Sequence, residues 1–199
     1  MTENRAPKIG GILLAAGGST RFGSPKQLAI YLEKTLIRRA AETLVYSGCD
    51  LNVVVLGAEI EGSTNEIEGL PINICVNEDW QSGMSSSIKS GLEYLLNIEA
   101  ELDAVLITLC DQPHVTTASL QLLLAKFQVE SAPVIAAQYG ETIGVPAVFS
   151  RELFDQLIHL EGDRGARNLI RSRDDLVTVE IDTAAIDIDT PDDSVEVSF

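Results

Sequence analysis

The residues best equipped for chemistry lie in one glycine-rich run, Ala15-Ala16-Gly17-Gly18-Ser19-Thr20-Arg21-Phe22-Gly23-Ser24-Pro25-Lys26-Gln27, directly after an apolar stretch that ends at Leu14. Small residues let backbone N–H groups come close to an anion, and Gly17, Gly18 and Gly23 can take positive φ. Arg21 can fork two phosphate oxygens and Lys26 can act as a point charge. Together they read as a site for a chain of phosphates, against the plainer reading of a turn that follows a first strand. Two better-known phosphate loops are excluded by spacing. Gly18 and Gly23 fit a Walker loop, but Ser24 stands where its lysine belongs, and the GxGxxG pattern of dinucleotide sites is absent.

Three further groups carry candidate chemistry. Asn77-Glu78-Asp79-Trp80-Gln81-Ser82-Gly83-Met84-Ser85-Ser86-Ser87 precedes a helical pattern, so its serines either bind an anion or nucleobase at a helix N-terminus or serve as caps. Trp80 reads as packing rather than as a stacking surface. Asp111 follows an apolar run and either ligates a divalent cation or opens a turn before Pro113. Asp187-Ile188-Asp189-Thr190-Pro191-Asp192-Asp193 adds carboxylates that are either ligands or a solvated acidic turn. Arg164 and Arg167, three apart, could clamp a phosphate from one helical face or form surface ion pairs. Asp163 reads as a helix cap. His114 and His159 have no ligand spacing.

Residues of these kinds need a scaffold, and the chain supplies one. With 14 Lys plus Arg against 30 Asp plus Glu, the net charge of −16 disfavours nucleic acid and anionic membrane surfaces as partners. An anionic substrate therefore requires local basic groups or a bound cation. The cysteines, Cys49, Cys75 and Cys110, never pair as CxxC, which argues against zinc and against a disulfide framework. No signal-like or spanning apolar run occurs, so a cytoplasmic protein is expected. Residues 1–8 are expected to be a flexible terminus and 9–199 one domain. Apolar runs predict strands over 9–14, 52–56, 72–76, 104–109, 133–137, 146–149 and 176–181. Helical spacing predicts helices over 35–47, 85–96, 119–127, 151–160 and 164–171. This alternation implies a three-layer α/β/α sandwich, Rossmann-like, around a mostly parallel sheet. Ligands in such sheets sit beyond the carboxyl ends of the strands, here the loops after Leu14, Val76 and Leu109.

The run LAAGGSTRFGSPKQ resembles the LAAGxSxRxGxxKQ signature of the MobA-like nucleotidyltransferases, and more narrowly their molybdenum cofactor cytidylyltransferase branch, called MocA-like. NxxWxxGMxxS, CDQP, GVPAVF (residues 144–149), GDRGAR (residues 162–167) and DIDTPD (residues 187–192) resemble further segments of that branch, in order, so the likeness covers about residues 9–192. It implies a nucleotidyltransferase-type sheet in which Leu14, Ala15, Ala16, Gly17, Gly18, Ser19, Arg21 and Lys26 wrap a nucleoside triphosphate. It further implies that Asn77, Gly83, Ser85 and Ser86 help hold base and ribose, and that Gly144, Pro146, Arg164 and Arg167 border the acceptor. Asp111 and Asp189 would hold Mg²⁺, with Asp187 as the rival of Asp189.

The chemistry implied by the resemblance is attack of the phosphate of molybdopterin on the α-phosphorus of CTP, with loss of pyrophosphate. Arg21, Lys26 and Asp111 would be the catalytic groups, and an anionic nucleophile needs no general base. The product would serve a molybdoenzyme or its chaperone. The GTP-using branch tends to carry LxGG where this chain has Leu14-Ala15-Ala16-Gly17, so the Ala16 methyl favours a pyrimidine, although one methyl is worth only ~1–3 kcal/mol. The rivals are GTP or another NTP, a sugar phosphate as acceptor, and a non-catalytic carrier of nucleotide or cofactor.

Overall fold

The computed structural model describes residues 5–18 and 25–188. Its centre is β1 (Ile9–Ala15), every residue of which is buried. A strand covered on both faces is written as a continuous apolar run, and side chains that alternate along it serve two different layers. Leu13 and Ala15 join a cluster with Leu36, Ile37 and Leu44 of α1 (Leu36–Val45). Ile12 and Leu14 join the opposite cluster with Ile88, Leu92 and Leu95 of α3 (Met84–Ile98). Thr35 caps α1 by accepting a hydrogen bond from the Arg38 N–H at 3.3 Å.

A short hairpin of β2 (Ile30–Tyr31) and β3 (Lys34–Thr35) precedes α1. Then follow β4 (Leu51–Leu56), α2 (Glu61–Glu66) and β5 (Asn73–Val76). After α3 come β6 (Ala104–Leu109), α4 (Thr117–Val129), β7 (Val134–Tyr139) and β8 (Thr142–Ser150). The described chain closes with α5 (Phe154–Ile158), α6 (Arg167–Arg171) and β9 (Val177–Glu180). The large sheet has the order β5–β4–β1–β6–β8–β7–β9. Its first four strands are mutually parallel, as helical crossovers require.

Several elements depart from the sequence reading. The strand expected over 146–149 extends to Thr142–Ser150 and runs antiparallel to both β6 and β7. A tight turn through Gly140, with φ of 57°, returns the chain directly and makes β7 and β8 a hairpin. The pairing jumps from Ala136–Ala147 to Ala137–Gly144, leaving Val145 and Pro146 in a bulge where the missing proline N–H costs no ladder bond. Arg164 precedes α6, so it shares no helical face with Arg167. Residues 5–8, expected to fray, are tied down: the Lys8 N–H donates to Asp103 Oδ2 at 2.7 Å, and Arg5 pairs with Asp103 at 3.2 Å. No helix among the described residues is long and apolar enough to cross a membrane.

β1 and β6 lie side by side, so their carboxyl-end loops, one carrying Gly17 and the other Asp111, open at the same sheet edge. Helix α3 is pressed onto this edge through Gly91. A Cβ there would lie 2.8 Å from Ile12 Cγ2 and 2.9 Å from Val55 Cγ2. Gly91→Val is expected to overpack the layer and lower unfolding free energy by about 1–3 kcal/mol, read as a lower urea midpoint at unchanged slope.

Candidate nucleotide and acceptor site

The loop after β1 is held from beneath by Gln27. Its side chain is 5% exposed and donates from Nε2 to Ala15 O at 3.0 Å and Gly17 O at 2.5 Å. Ala16 O accepts from the Ala58 N–H at 3.1 Å. Three successive carbonyl oxygens are thus occupied by protein donors, which lowers their repulsion toward an incoming anion. Neither Gly17 nor Gly18 uses positive φ. What Gly18 supplies is space, because a Cβ there would meet Trp80 Cη2 at 2.8 Å. Gly57 does the same on the other side of the indole, at 2.7 Å from Trp80 Cβ. Ser19 and Arg21 lie outside the described residues.

Lys26 opens a single 3₁₀ turn and sends Nζ to Asp111 Oδ2 at 2.8 Å. This pair joins the ends of two loops across the mouth of a cavity of about 430 Å³. Leu14 to Gly18 form one side of it, Trp80 to Met84 contribute the other through Trp80, Gln81, Gly83 and Met84, and Asp111 and Asp163 stand at its edge. Asp111 Oδ1 is buried and has no hydrogen-bond partner among the described residues. A buried, unsatisfied carboxylate oxygen is the hard donor that Mg²⁺ and similar cations take, so the residues present fit a divalent ion. Among the described residues no group of three or more His, Cys, Asp or Glu could hold a metal. Asp189 lies outside them; the last described residue, Ile188, donates its N–H to Asp111 O at 3.0 Å. Cys110 also lines the cavity, and burial pushes its thiol far above the usual range, so it is no nucleophile.

The segment before α3 divides into two sets. Asn77, Ser85 and Ser86 brace the turn and are not part of the cavity wall. Asn77 Nδ2 donates to Ser86 Oγ at 2.8 Å and Ser87 Oγ at 3.0 Å, and its Oδ1 accepts from the Asp79 N–H. The Ser85 N–H is taken by Gly162 O and the Ser86 N–H by Gly83 O, both at 3.2 Å. The serines do not cap the helix either: Gly83 is the N-cap residue, with φ of 113°. Facing the cavity are Trp80, Gln81, Gly83, Met84 and Ser87, of which the sequence singled out Gly83 and, among the serines, Ser87.

A second cavity of about 180 Å³ adjoins the first. Leu14, Met84, Leu109 and Asp163 line both. Of the residues expected to border the acceptor, Gly144, Arg164 and Arg167 line this cavity, as does Asp187, the rival of Asp189 for a metal, whereas Pro146 is buried in β8 and does not. Gln112 anchors the bulge, donating from Nε2 to Ala184 O at 2.9 Å and Val145 O at 3.4 Å. Asp163 is no cap, because α6 starts four residues beyond it, at Arg167, with Ala166 as its N-cap residue. Its carboxylate lies against Gly83, where a Cβ would stand 2.5 Å from Oδ1. Asp163 itself is exposed and lines the rim shared by the two cavities.

Comparisons with known proteins give the family and the fold. The family model described as a MobA-like NTP transferase domain matches residues 11–177. A protein of Paenarthrobacter nicotinovorans named nicotine blue oxidoreductase is 32% identical over 96% of this chain and 96% of its own. A probable molybdenum cofactor guanylyltransferase of Bacillus mycoides is 26% identical over 77% of this chain and 74% of its own. A crystal structure of a protein from Mycobacterium tuberculosis H37Rv superposes with a TM-score of 0.83 at 26% identity, covering 97% of this chain and 98% of that one. A glycine-lined loop, a lysine and a strand-end aspartate thus stand together at the carboxyl edge of a mostly parallel sheet, and the chain belongs to the MobA-like NTP transferase domain family.

Proposed function

We propose that the chain transfers CMP from CTP to the phosphate of molybdopterin and releases pyrophosphate. The observation that carries this reading is the Lys26–Asp111 pair at the mouth of a nucleotide-sized cavity that shares a wall with a second, arginine-bordered one. An oxygen of the acceptor's phosphate monoester forms a bond to the α-phosphorus, and the bond from that phosphorus to the bridging oxygen of pyrophosphate breaks. No proton need be removed from the nucleophile, in keeping with a cavity that offers no Ser–His or Cys–His pair among its described residues. The residues here orient and neutralise. The loop at 14–18 surrounds the triphosphate, with Ser19 and Arg21 as further phosphate contacts. Lys26 moves from Asp111 to the departing oxygens, and Asp163 separates the two substrates. Asp111 and Asp189, with Asp187 as the rival second acid, would hold a Mg²⁺ ion, which when bound draws charge from phosphate oxygens. Arg164 and Arg167 would take the acceptor phosphate. Asn77, Ser85 and Ser86 would act on base and ribose through the turn they brace. The product would pass to a molybdoenzyme or its chaperone.

A second reading takes its support from the 32% identity to the protein named nicotine blue oxidoreductase. The same two cavities would then hold a redox pair rather than a nucleotide and its acceptor. Pyrophosphate release, assayed with each of four NTPs with and without molybdopterin, separates the readings. A transferase releases it only when both substrates are present. A redox protein releases none and instead reduces nicotine blue with an added electron donor, and a carrier does neither.

Lys26→Ala and Asp111→Ala should each lower pyrophosphate release by roughly 100-fold or more while circular dichroism stays native. Full turnover by either variant would remove these residues from the site. Ala16→Gly opens the space beside the base, and the ratio of kcat/KM for GTP over CTP should rise about tenfold. Gln27→Ala frees the carbonyls of Ala15 and Gly17. Amide exchange in that loop should quicken, and the KM for CTP should rise about tenfold, the factor that ~1.4 kcal/mol of lost hydrogen bonding represents.

A further inference from the structure

Tyr139 stands at the carboxyl end of β7, half-buried, in the wall of the smaller cavity together with Gly144, Arg167 and Asp187. The hairpin register pairs Ala137 with Gly144, so Tyr139, two residues on, is diagonal to Gly144 on the same face. Its ring reaches back across the bare Cα. A Cβ on Gly144 would stand 2.7 Å from Tyr139 Oη and 3.7 Å from Cζ. Any other residue at 144 therefore displaces the hydroxyl. Covering a strand glycine with an aromatic ring is a packing device that phenylalanine would serve equally well. The hydroxyl, which packing does not need, ends at the cavity rim. A phenol hydroxyl is protonated at neutral pH and so can donate a hydrogen bond there. At about 180 Å³ the cavity admits one end of an acceptor, and a hydroxyl donor fixed in its wall bears on which end fits.

Resting on the transferase reading above, we propose that Tyr139 Oη, held over Gly144, donates the hydrogen bond that orients the acceptor, so that the Tyr139–Gly144 pair selects phosphate monoesters carrying a second oxygen or nitrogen acceptor atom beside the phosphate. Arg164 and Arg167 supply charge for the phosphate. Tyr139 supplies direction.

The test titrates a pterin phosphate monoester, as probe, calorimetrically into the full chain and its Tyr139→Phe and Gly144→Ala variants. Tyr139→Phe keeps the ring and is expected to weaken probe binding about fivefold or more, with CTP affinity unchanged within about twofold. Gly144→Ala should weaken the probe at least as much, and the double variant no further than Gly144→Ala alone. Probe affinity in Tyr139→Phe equal to that of the wild type, or no probe binding by the wild type, overturns the proposal. The same samples assayed for pyrophosphate keep the two claims apart. If the wild type releases none with any NTP, the transferase reading fails, while the difference in probe affinity still decides the role of Tyr139.

Discussion

A lysine ammonium and an aspartate carboxylate 2.8 Å apart hold together two loops that lie far apart in the sequence. In a chain of net charge −16, the surrounding field favours a cation at this spot and opposes a polyphosphate. Lys26 reverses that locally, and Asp111 keeps it in place until a stronger anion competes. The pair exists because β1 and β6 are neighbours in register, which places Leu14 opposite Leu109 and brings the following loops to one edge. The adjacency in turn depends on a strand buried on both faces and on helices that can approach it closely, as α3 does through Gly91. Backbone topology thus fixes the electrostatics of the site before any side chain is chosen.

Much of this was legible in the amino-acid order. The parallel core strands appear as apolar runs because both of their faces are covered, and β6 was read to the residue. Lys26, Asp111 and the loop at 14–18 could be read because their chemistry is local to a strand end. What escaped depends on direction in space. Spacing puts Asn77, Trp80, Ser85 and Ser86 in one segment, but only the fold shows that Trp80 lines the cavity while Asn77 braces the turn by holding Ser86 and Ser87. α2, with the sequence EGSTNE, buries little beyond Ser63 and shows no apolar period to detect. The reversal of β8 turns on two residues between strands, Gly140 and Glu141, and the helix shortening at 167–171 on a loop of glycines. Gln27 was visible as a residue of the signature. Its work, holding two carbonyls from below, was not.

The site is also built of borrowed space. Gly18 and Gly57 are small so that Trp80 can lie between them, Gly83 so that Asp163 can approach, and Gly144 so that Tyr139 can cross. In each case the glycine and the large side chain form one unit, and substitution of the glycine acts through the partner. At Gly18, Gly57 and Gly144 the backbone angles are ordinary, so space rather than conformation is what the missing Cβ supplies.

The two cavities share Leu14, Met84, Leu109 and Asp163 as a common wall. A molecule long enough to occupy both compartments at once gathers their contacts for a single loss of translational freedom, and so leaves more slowly than either half would alone. In any reaction that joins the contents of the two compartments, that molecule is the product. Such a product is held by the contacts of both compartments, so its release is the step that the shared wall slows.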